Sequence, residues 1–378
     1  GEAWGANAEM DALQVWAAEV PGVAFKQIKD KRAAQIQLYV GFWWDSISRT
    51  RTLEERKVAS YVHELLEFAT RRTASLHDLR SLAGKAQRAV MTMPPGAACL
   101  LVHFFLLMAG LLLPWQKRRV PKAAKCDSRF LAQLLQLNLG QGYFAYDRFA
   151  WAPLVLSDAS KGRMFAGGGY ADASGAYRFW QYGTSASHKP IDYLEGETCL
   201  VAVADLAPSW RQCVVPFGLD NMSFQRSQAK GRSRAPRLND LLKGVLVLQI
   251  QHECVLDTFW LSSEANLLAD HLSRDREADF LRDAFGTGFG SEGVVPRRHP
   301  ESGTRRVLTD QERPDAMHAL RQLLDSYSSN EQKDGPERGV RFAATVPHAR
   351  TTLTQGLPVE LVAWLETILD NRYSASSW

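Results

Sequence analysis

From Trp151 onward the hydrophobic period switches from helical to extended, and the order of segments that follows constrains the fold more than any other feature of the chain. APLVLSDAS, RMFAGGGYA and AYRFWQYG are three apolar runs joined by short turns containing Gly or Ser. Behind them come a helix after Ile191, the strand CVVPFGLD, a helix after Ser233, the strand VLDTFWLS and a last helix. Three strands linked by tight turns, then alternating helices and strands, predict an α/β domain whose five-stranded sheet mixes antiparallel and parallel pairs.

Two of these strands end in an acid. Asp158 in LVLSDAS and Asp220 in VVPFGLDN each follow an apolar run directly. An unpaired carboxylate at such a place costs several kcal/mol unless a cation, a partner or solvent meets it, so a cation site is the reading that joins them. Asp270 in EANLLADHLSR shares a helix face with Asn266 at i and i+4. Glu195 opens the helix IDYLEGETCLVAVADLA, and the positions that would lie above it, Cys199, Ala202, Val203 and Leu206, are small or apolar. Glu197 is the alternative, but it would set Asp205 on that packed face, so Glu195 is preferred. Hard divalent cations take oxygen ligands from several elements and keep some waters, and the four acids offer that donor set.

Before Trp151 the chain reads as mostly helical, which makes the whole α+β. Ala8 to Ala18 predicts a short helix, and Ile36 to Trp44 a strand. Thr52 is read as the N-cap of a helix with Val58, Tyr61, Val62, Leu65, Leu66 and Ala69 on one face; a second helix after Ser75 carries Leu76, Leu79, Leu82, Ala83 and Ala86. Between Ala89 and Trp115 there is no Asp, Glu, Lys or Arg. The dense apolar part, Cys99 to Leu113, is shorter than the roughly 20 residues that span a bilayer, so it predicts a buried core helix and no membrane segment. After about Phe285 the sequence turns to Gly, Pro, Arg and Ser, and 281–347 reads as a linker with one helical patch, Ala316 to Leu324. Its glycines follow no strand and are not read as a nucleotide loop. The last segment, 348–378, is amphipathic.

Composition selects little beyond this. The 378 residues suffice for two or three domains, and 46% are hydrophobic, as in ordinary folded protein. A net charge of +4 permits a polyanionic partner without requiring one. Cys99, Cys126, Cys199, Cys213 and Cys254 stand singly, without metal spacing, and read as reduced thiols of an intracellular protein, cytoplasmic or nuclear. No secretory signal is read at the start, which lacks an initiator Met, so the chain reads as a fragment. His188, His252 and His271 have no ligand spacing and are taken as surface or packing residues.

The blocks SDAS, I-x-x-L-E, LDN and N-x-x-AD-x-LSR, in this order, resemble the ribonuclease H motifs of retroelement pol regions, most closely those of DIRS-type, tyrosine-recombinase retrotransposons. The resemblance implies a ribonuclease H-like domain at 151–280 whose metal-binding catalytic residues are Asp158, Glu195, Asp220 and Asp270. YVGFWWD, from Tyr39 to Asp45, resembles a reverse-transcriptase primer-grip hairpin, with Lys29 or Lys31 where the family has a palm lysine. LHDLRSLAGKAQRAV followed by PPGAACL resembles the thumb and connection helices. These likenesses make 1–51 a palm remnant, 52–150 a thumb/connection-like region and 348–378 the start of a recombinase N-terminal domain, a DNA-integration module. No paired-aspartate polymerase motif precedes Tyr39, so polymerisation is not expected of this chain alone, and its implied partner is an upstream palm and fingers. FWLSSEAN holds Ser262 and Ser263 but no loop His, which implies slow turnover.

The implied chemistry is endonucleolytic cleavage of the RNA strand of an RNA/DNA hybrid, with two Mg²⁺ ions, or Mn²⁺, bridging the scissile phosphate and no small-molecule cofactor. Asn221, Arg226, Lys230, Arg232, Arg234 and Arg237 follow Asp220 closely and are read as a grip on the nucleic-acid backbone, and Trp43, Trp44 and Lys117 to Arg119 as further contacts. The rival reading is a degenerate ribonuclease H fold that binds nucleic acid or a subunit without catalysis.

Overall fold

The computed structural model describes residues 35–162, 166–183, 188–286 and 294–302. The expected helices at Ala8 to Ala18 and Ala316 to Leu324, the lysines Lys29 and Lys31, and the segment 348–378 lie outside these residues. Among the described residues the architecture is mixed α and β.

The first described elements are β1 (Ile36–Tyr39) and β2 (Phe42–Asp45), where the sequence predicted one strand. Val40 and Gly41 both have positive φ, 50° and 82°, the geometry of a two-residue turn whose twist suits a hairpin. β3 (Thr50–Leu53) and, much later, β6 (Gln141–Tyr143) complete an antiparallel sheet of order β1-β2-β3-β6. Thr52 therefore belongs to a strand and is not a helix cap. The helix α1 (Glu55–Thr70) starts three residues after Thr52, behind Glu54, and buries Tyr61, Val62, Leu65, Phe68 and Ala69. Leu66, assigned to that face by sequence, is 40% exposed. β4 (Thr73–Ser75) leads into α2 (Leu76–Val90), which Ser75 and Asp78 close with a capping box, satisfying two otherwise free backbone N–H groups.

The apolar stretch forms a 3₁₀ turn, Ala97–Leu101, and a two-turn helix α3 (Val102–Met108), and then leaves helical geometry. It is shorter than the expected core helix, and its far end is exposed at Leu112 and Leu113. No helix among the described residues is long and apolar enough to cross a membrane. β5 (Lys117–Arg119) pairs with β4, and α4 (Lys122–Leu137) packs against α1, burying Phe130, Leu131, Leu134 and Leu135.

The second half is built on seven strands. β7 (Ala150–Trp151), β8 (Val155–Lys161), β9 (Ala166–Asp172) and β10 (Ala176–Gln181) are followed by α5 (Ile191–Leu206), β11 (Cys213–Leu219), α6 (Met222–Lys230), α7 (Pro236–Gln251), β12 (Val255–Trp260), α8 (Leu267–Ser273) and α9 (Glu277–Gly286). The strand order is β12-β11-β8-β9-β10-β13, where β13 is Arg297–Arg298, and β7 pairs beside β11. β8, β9 and β10 are antiparallel, whereas β8, β11 and β12 run parallel. The sheet thus has two strands more than the five expected. The sequence also missed α6 and α9, and the region from 281 is not a linker from its first residue. It completes α9, and 294–302 returns as an edge strand held by Glu301 on the buried Arg178 and by burial of Ser302.

Helices cover both faces of the central strands, and the glycines of AGGGYA make this possible. A Cβ on Gly168 would lie 2.8 Å from the Thr198 hydroxyl of α5, and one on Gly169 would lie 2.5 Å from Leu272 Cβ of α8. Both helices therefore approach β9 more closely than a side chain would permit. The two halves share one continuous hydrophobic core, from Leu65 and Phe130 to Phe217 and Leu246. Across it runs one buried ionic network: Lys243 of α7 donates to Asp127 of α4 at 2.7 Å and to Asp240 at 3.1 Å, while His103 Nδ1 lies 2.5 Å from Asp127. Burial alone would lower the Lys243 ammonium, but Asp127 and Asp240 more than reverse that and hold it charged.

Candidate metal centre

Strand register brings the first two acids together. β11 pairs with β8 in parallel, and the last matched pair is Leu219 with Ser157, so Asp220 and Asp158 stand side by side just beyond it. β8 continues along β9, where Asp158 faces Gly169, while β11 stops, and the sheet opens between the two carboxylates. Glu195 enters from the first turns of α5, a helix with buried residues all round because it lies between the sheet and α7. Oxygens of Asp158, Glu195 and Asp220 lie within 4.8 Å of one another. Three carboxylates far apart in sequence thus meet where β11 ends beside the middle of β8.

Their surroundings oppose three negative charges. Asp158 and Glu195 are only 4% and 3% exposed. Burial first, then the nearby Asp220 charge, raises the Asp158 carboxyl from 3.8 to about 7, although the Ser273 hydroxyl donates to it and partly offsets this. Burial, with the charges of Asp158 and Asp220 behind it, likewise pushes Glu195 well above the ordinary range. Glu195 Oε2 and Asp220 Oδ1 are buried and make no hydrogen bond. Orphaned, buried carboxylate oxygens that share one space are the donor set a hard divalent cation takes, so these residues fit such an ion. Glu197, the alternative to Glu195, turns away into an ion pair with Lys189 at 3.1 Å.

Asp270 stands apart from this group of three. It is near enough that its charge contributes to raising Asp158, but its own oxygens are taken by Arg274 at 2.6 Å and Arg276 at 2.8 Å. Asn266 does not share its environment. As the residue before α8 it is fully buried, and its amide donates to Ser157 O at 3.0 Å, tying the start of α8 to β8. Sequence reasoning missed Ser273 and Arg274, the donor on Asp158 and a guanidinium whose pKa is raised by Asp270 first and by Asp158 and Asp220 in lesser part. Both lie in the ADHLSR block, and the signal was available there: three to four residues past Asp270 on a helix is the same face. Asp220 is further fixed by Trp260, whose indole N–H donates to its carbonyl at 2.9 Å, and by Ser263, whose hydroxyl lies 3.3 Å from its carboxylate.

The expected backbone grip divides. Asn221 caps α6, its side-chain oxygen accepting from Phe224 N at 3.0 Å. Arg237 is paired with Asp192 at 3.3 Å. Arg226, Lys230, Arg232 and Arg234 are exposed on α6 and the turn after it, and none makes an ion pair among the described residues. Of the tryptophans, Trp44 packs on Phe42 and Phe144, and Trp43 is 45% exposed. His188 is exposed, whereas His271 is buried and pairs with Asp283 at 3.0 Å. Neither a protein-family model nor a curated protein matches this chain, so the reading of the centre rests on its geometry.

Proposed function

We propose that this chain is a metal-dependent nuclease of the ribonuclease H type that cleaves RNA in RNA/DNA hybrids, derived from a retroelement pol region of the DIRS type. The observation that carries the reading is the convergence of Asp158, Glu195 and Asp220 at the mouth between two parallel strands, with buried oxygens left without hydrogen-bond donors. The sheet supports it, since β8, β9 and β10 pair antiparallel while β11 and β12 run parallel to β8, the mixture of pairs expected for a ribonuclease H-like domain.

In this reading Asp158, Glu195 and Asp220 hold divalent cations, which supply charge stabilisation at the phosphate and an activated water. Ser273 keeps Asp158 oriented and favours its charged form. Arg274 and Arg276 hold Asp270 beside the cluster, where its carboxylate is a fourth oxygen donor once released. Arg226, Lys230, Arg232 and Arg234 bind the backbone of the hybrid electrostatically, which positions it without reading sequence. The polymerase palm and fingers would come from another chain or segment.

One observation favours the rival, a non-catalytic nucleic-acid-binding module: Asp270 is already neutralised by two arginines. A labelled RNA/DNA hybrid incubated with the chain and Mg²⁺ or Mn²⁺ separates the two. The nuclease reading expects cleavage that Asp158→Asn and Asp220→Asn each abolish; cleavage untouched by either change, or binding without cleavage, rules it out.

A further inference from the structure

The rim of the metal centre carries an aromatic surface that the cation site does not use. Trp260 is the last residue of β12 and pairs in register with Leu219, which sets it beside Asp220. Its indole N–H is committed to the Asp220 carbonyl at 2.9 Å, and directly after it Leu261 N donates to Leu219 O at 2.9 Å. The ring is therefore held in place, yet the residue stays 47% exposed. A small polar side chain would serve that one carbonyl equally well, whereas an indole leaves a broad flat face in water. The face is not isolated. Met222 opens α6 two residues past Asp220 and is 40% exposed, and Arg226 and Lys230 follow it at four-residue steps along the exposed side of the helix. α6 lies against β12, with Gln225 Nε2 donating to Thr258 O at 3.0 Å, so ring and cations frame the same carboxylate.

We infer that Trp260 stacks an unpaired base, so that the centre prefers a hybrid whose RNA strand runs on single-stranded past the end of the duplex. The inference rests on the hybrid-binding part of the nuclease reading. Its argument is geometric. Inside a duplex both faces of every base are covered by its neighbours, and only an unpaired or terminal nucleotide offers a face to a fixed ring. Arg226 and Lys230, which make no ion pair among the described residues, meet the phosphates of such an extension electrostatically. Because every base has a π face, the contact selects for single-strandedness and not for sequence, the usual division of labour between aromatic and cationic side chains in single-strand binding. An apolar protein partner would leave these cations without counter-charges beside the carboxylate cluster, whereas a phosphate chain supplies them.

Fluorescence anisotropy of the full chain with labelled RNA/DNA hybrids tests this, with Ca²⁺ in place of Mg²⁺ so that binding is read apart from cleavage. One hybrid is blunt, and two carry a short single-stranded RNA extension at the 5′ or the 3′ end. The expected result is that the parent binds one of the extended hybrids about tenfold more tightly than the blunt one. Trp260→Ala should remove that difference and leave the blunt affinity within about twofold, while Trp260→Phe, which keeps a ring but loses the N–H, should retain most of it. Equal affinity of the parent for all three hybrids overturns the inference, and so does a preference that survives Trp260→Ala. Equal weakening on every hybrid in Trp260→Ala also overturns it, because Trp260 would then be only a prop for Asp220. Cleavage of the blunt hybrid in Mg²⁺ alongside equal binding sinks this inference and spares the nuclease reading. A Trp260-dependent preference in a chain that cleaves none of them does the reverse, and binding to no hybrid sinks both.

Discussion

Replacing Asp158 by Asn should stabilise the metal-free protein at alkaline pH, an unusual outcome for a buried polar position and one that follows from the electrostatics of the cluster. The amide keeps nearly the same volume and an acceptor for Ser273, but carries no charge. In the folded chain the Asp158 carboxyl is raised from 3.8 to about 7. A raised folded pKa favours folding fully below the unfolded value, and that contribution is lost as pH climbs through the folded value. At pH 8 the charged carboxylate therefore costs up to ~4 kcal/mol, about three pKa units at 1.36 kcal/mol each. With Glu195 and Asp220 relaxing around it, a realised gain for Asp158→Asn of ~2–3 kcal/mol raises Tm by about 4–12 °C for a domain of this size. Thermal melts by circular dichroism in EDTA, at pH 4, 5, 6, 7 and 8, should show the two proteins nearest each other at pH 4, already separating at pH 5, and furthest apart above pH 7. Millimolar Mg²⁺ should then raise the parent's Tm at pH 8 and leave the variant's almost unchanged, since only the folded parent binds the ion. A variant less stable than the parent at pH 8 in EDTA would refute this account of the cluster.

Removing the cation that joins the two halves, Lys243→Met, leaves the buried Asp127 with only His103 beside it and should cost about 3–5 kcal/mol in urea unfolding. The double change with Asp127→Leu should recover most of it; full stability of Lys243→Met alone would contradict the network's role. Gly169→Val sets a side chain where Leu272 Cβ already stands 2.5 Å away, and should cost about 1–3 kcal/mol while moving Ser273 off Asp158, read as a joint loss of Tm and of Mn²⁺ affinity. Ser273→Ala removes a donor that favours charged Asp158, so the pH midpoint of Mn²⁺ binding should rise by about one unit, and a midpoint that stays or falls would contradict that sign.

How much of this was legible beforehand differs by feature. Asp158 and Asp220 were readable because a carboxylate directly after an apolar run is expensive, and LVLSDAS and VVPFGLDN both show it, although β8 runs on past Asp158 to Lys161. Glu195 over Glu197 was readable from the helix face, since Cys199, Ala202 and Val203 are all buried on the packed side. Asp270 was read as a fourth ligand, whereas the three-acid cluster excludes it and Arg274 and Arg276 take its oxygens; that engagement was not legible, because Arg276 lies beyond the end of α8 and only the turn after it returns the guanidinium. Element ends failed for a similar reason. Nothing in TLEERK says that Thr50 to Leu53 pairs with Tyr143 and its neighbours, almost a hundred residues away, and that pairing makes Thr52 a strand residue. The apolar run from Cys99 to Leu113 looked like a core helix because burial was assumed from hydrophobicity. In the fold its second half is largely exposed, with Leu106, Leu112 and Leu113 facing solvent and only Leu107 buried.

The central claim is that three carboxylates far apart in sequence form one cation site. Calorimetric titration of the metal-free protein with Mn²⁺ at pH 8 tests it most directly. The account predicts saturable binding that Asp158→Asn, Glu195→Gln and Asp220→Asn each weaken at least about tenfold, while Glu197→Gln, whose carboxylate is engaged by Lys189, leaves it unchanged. Binding that survives all three changes, or that Glu197→Gln abolishes equally, would contradict it.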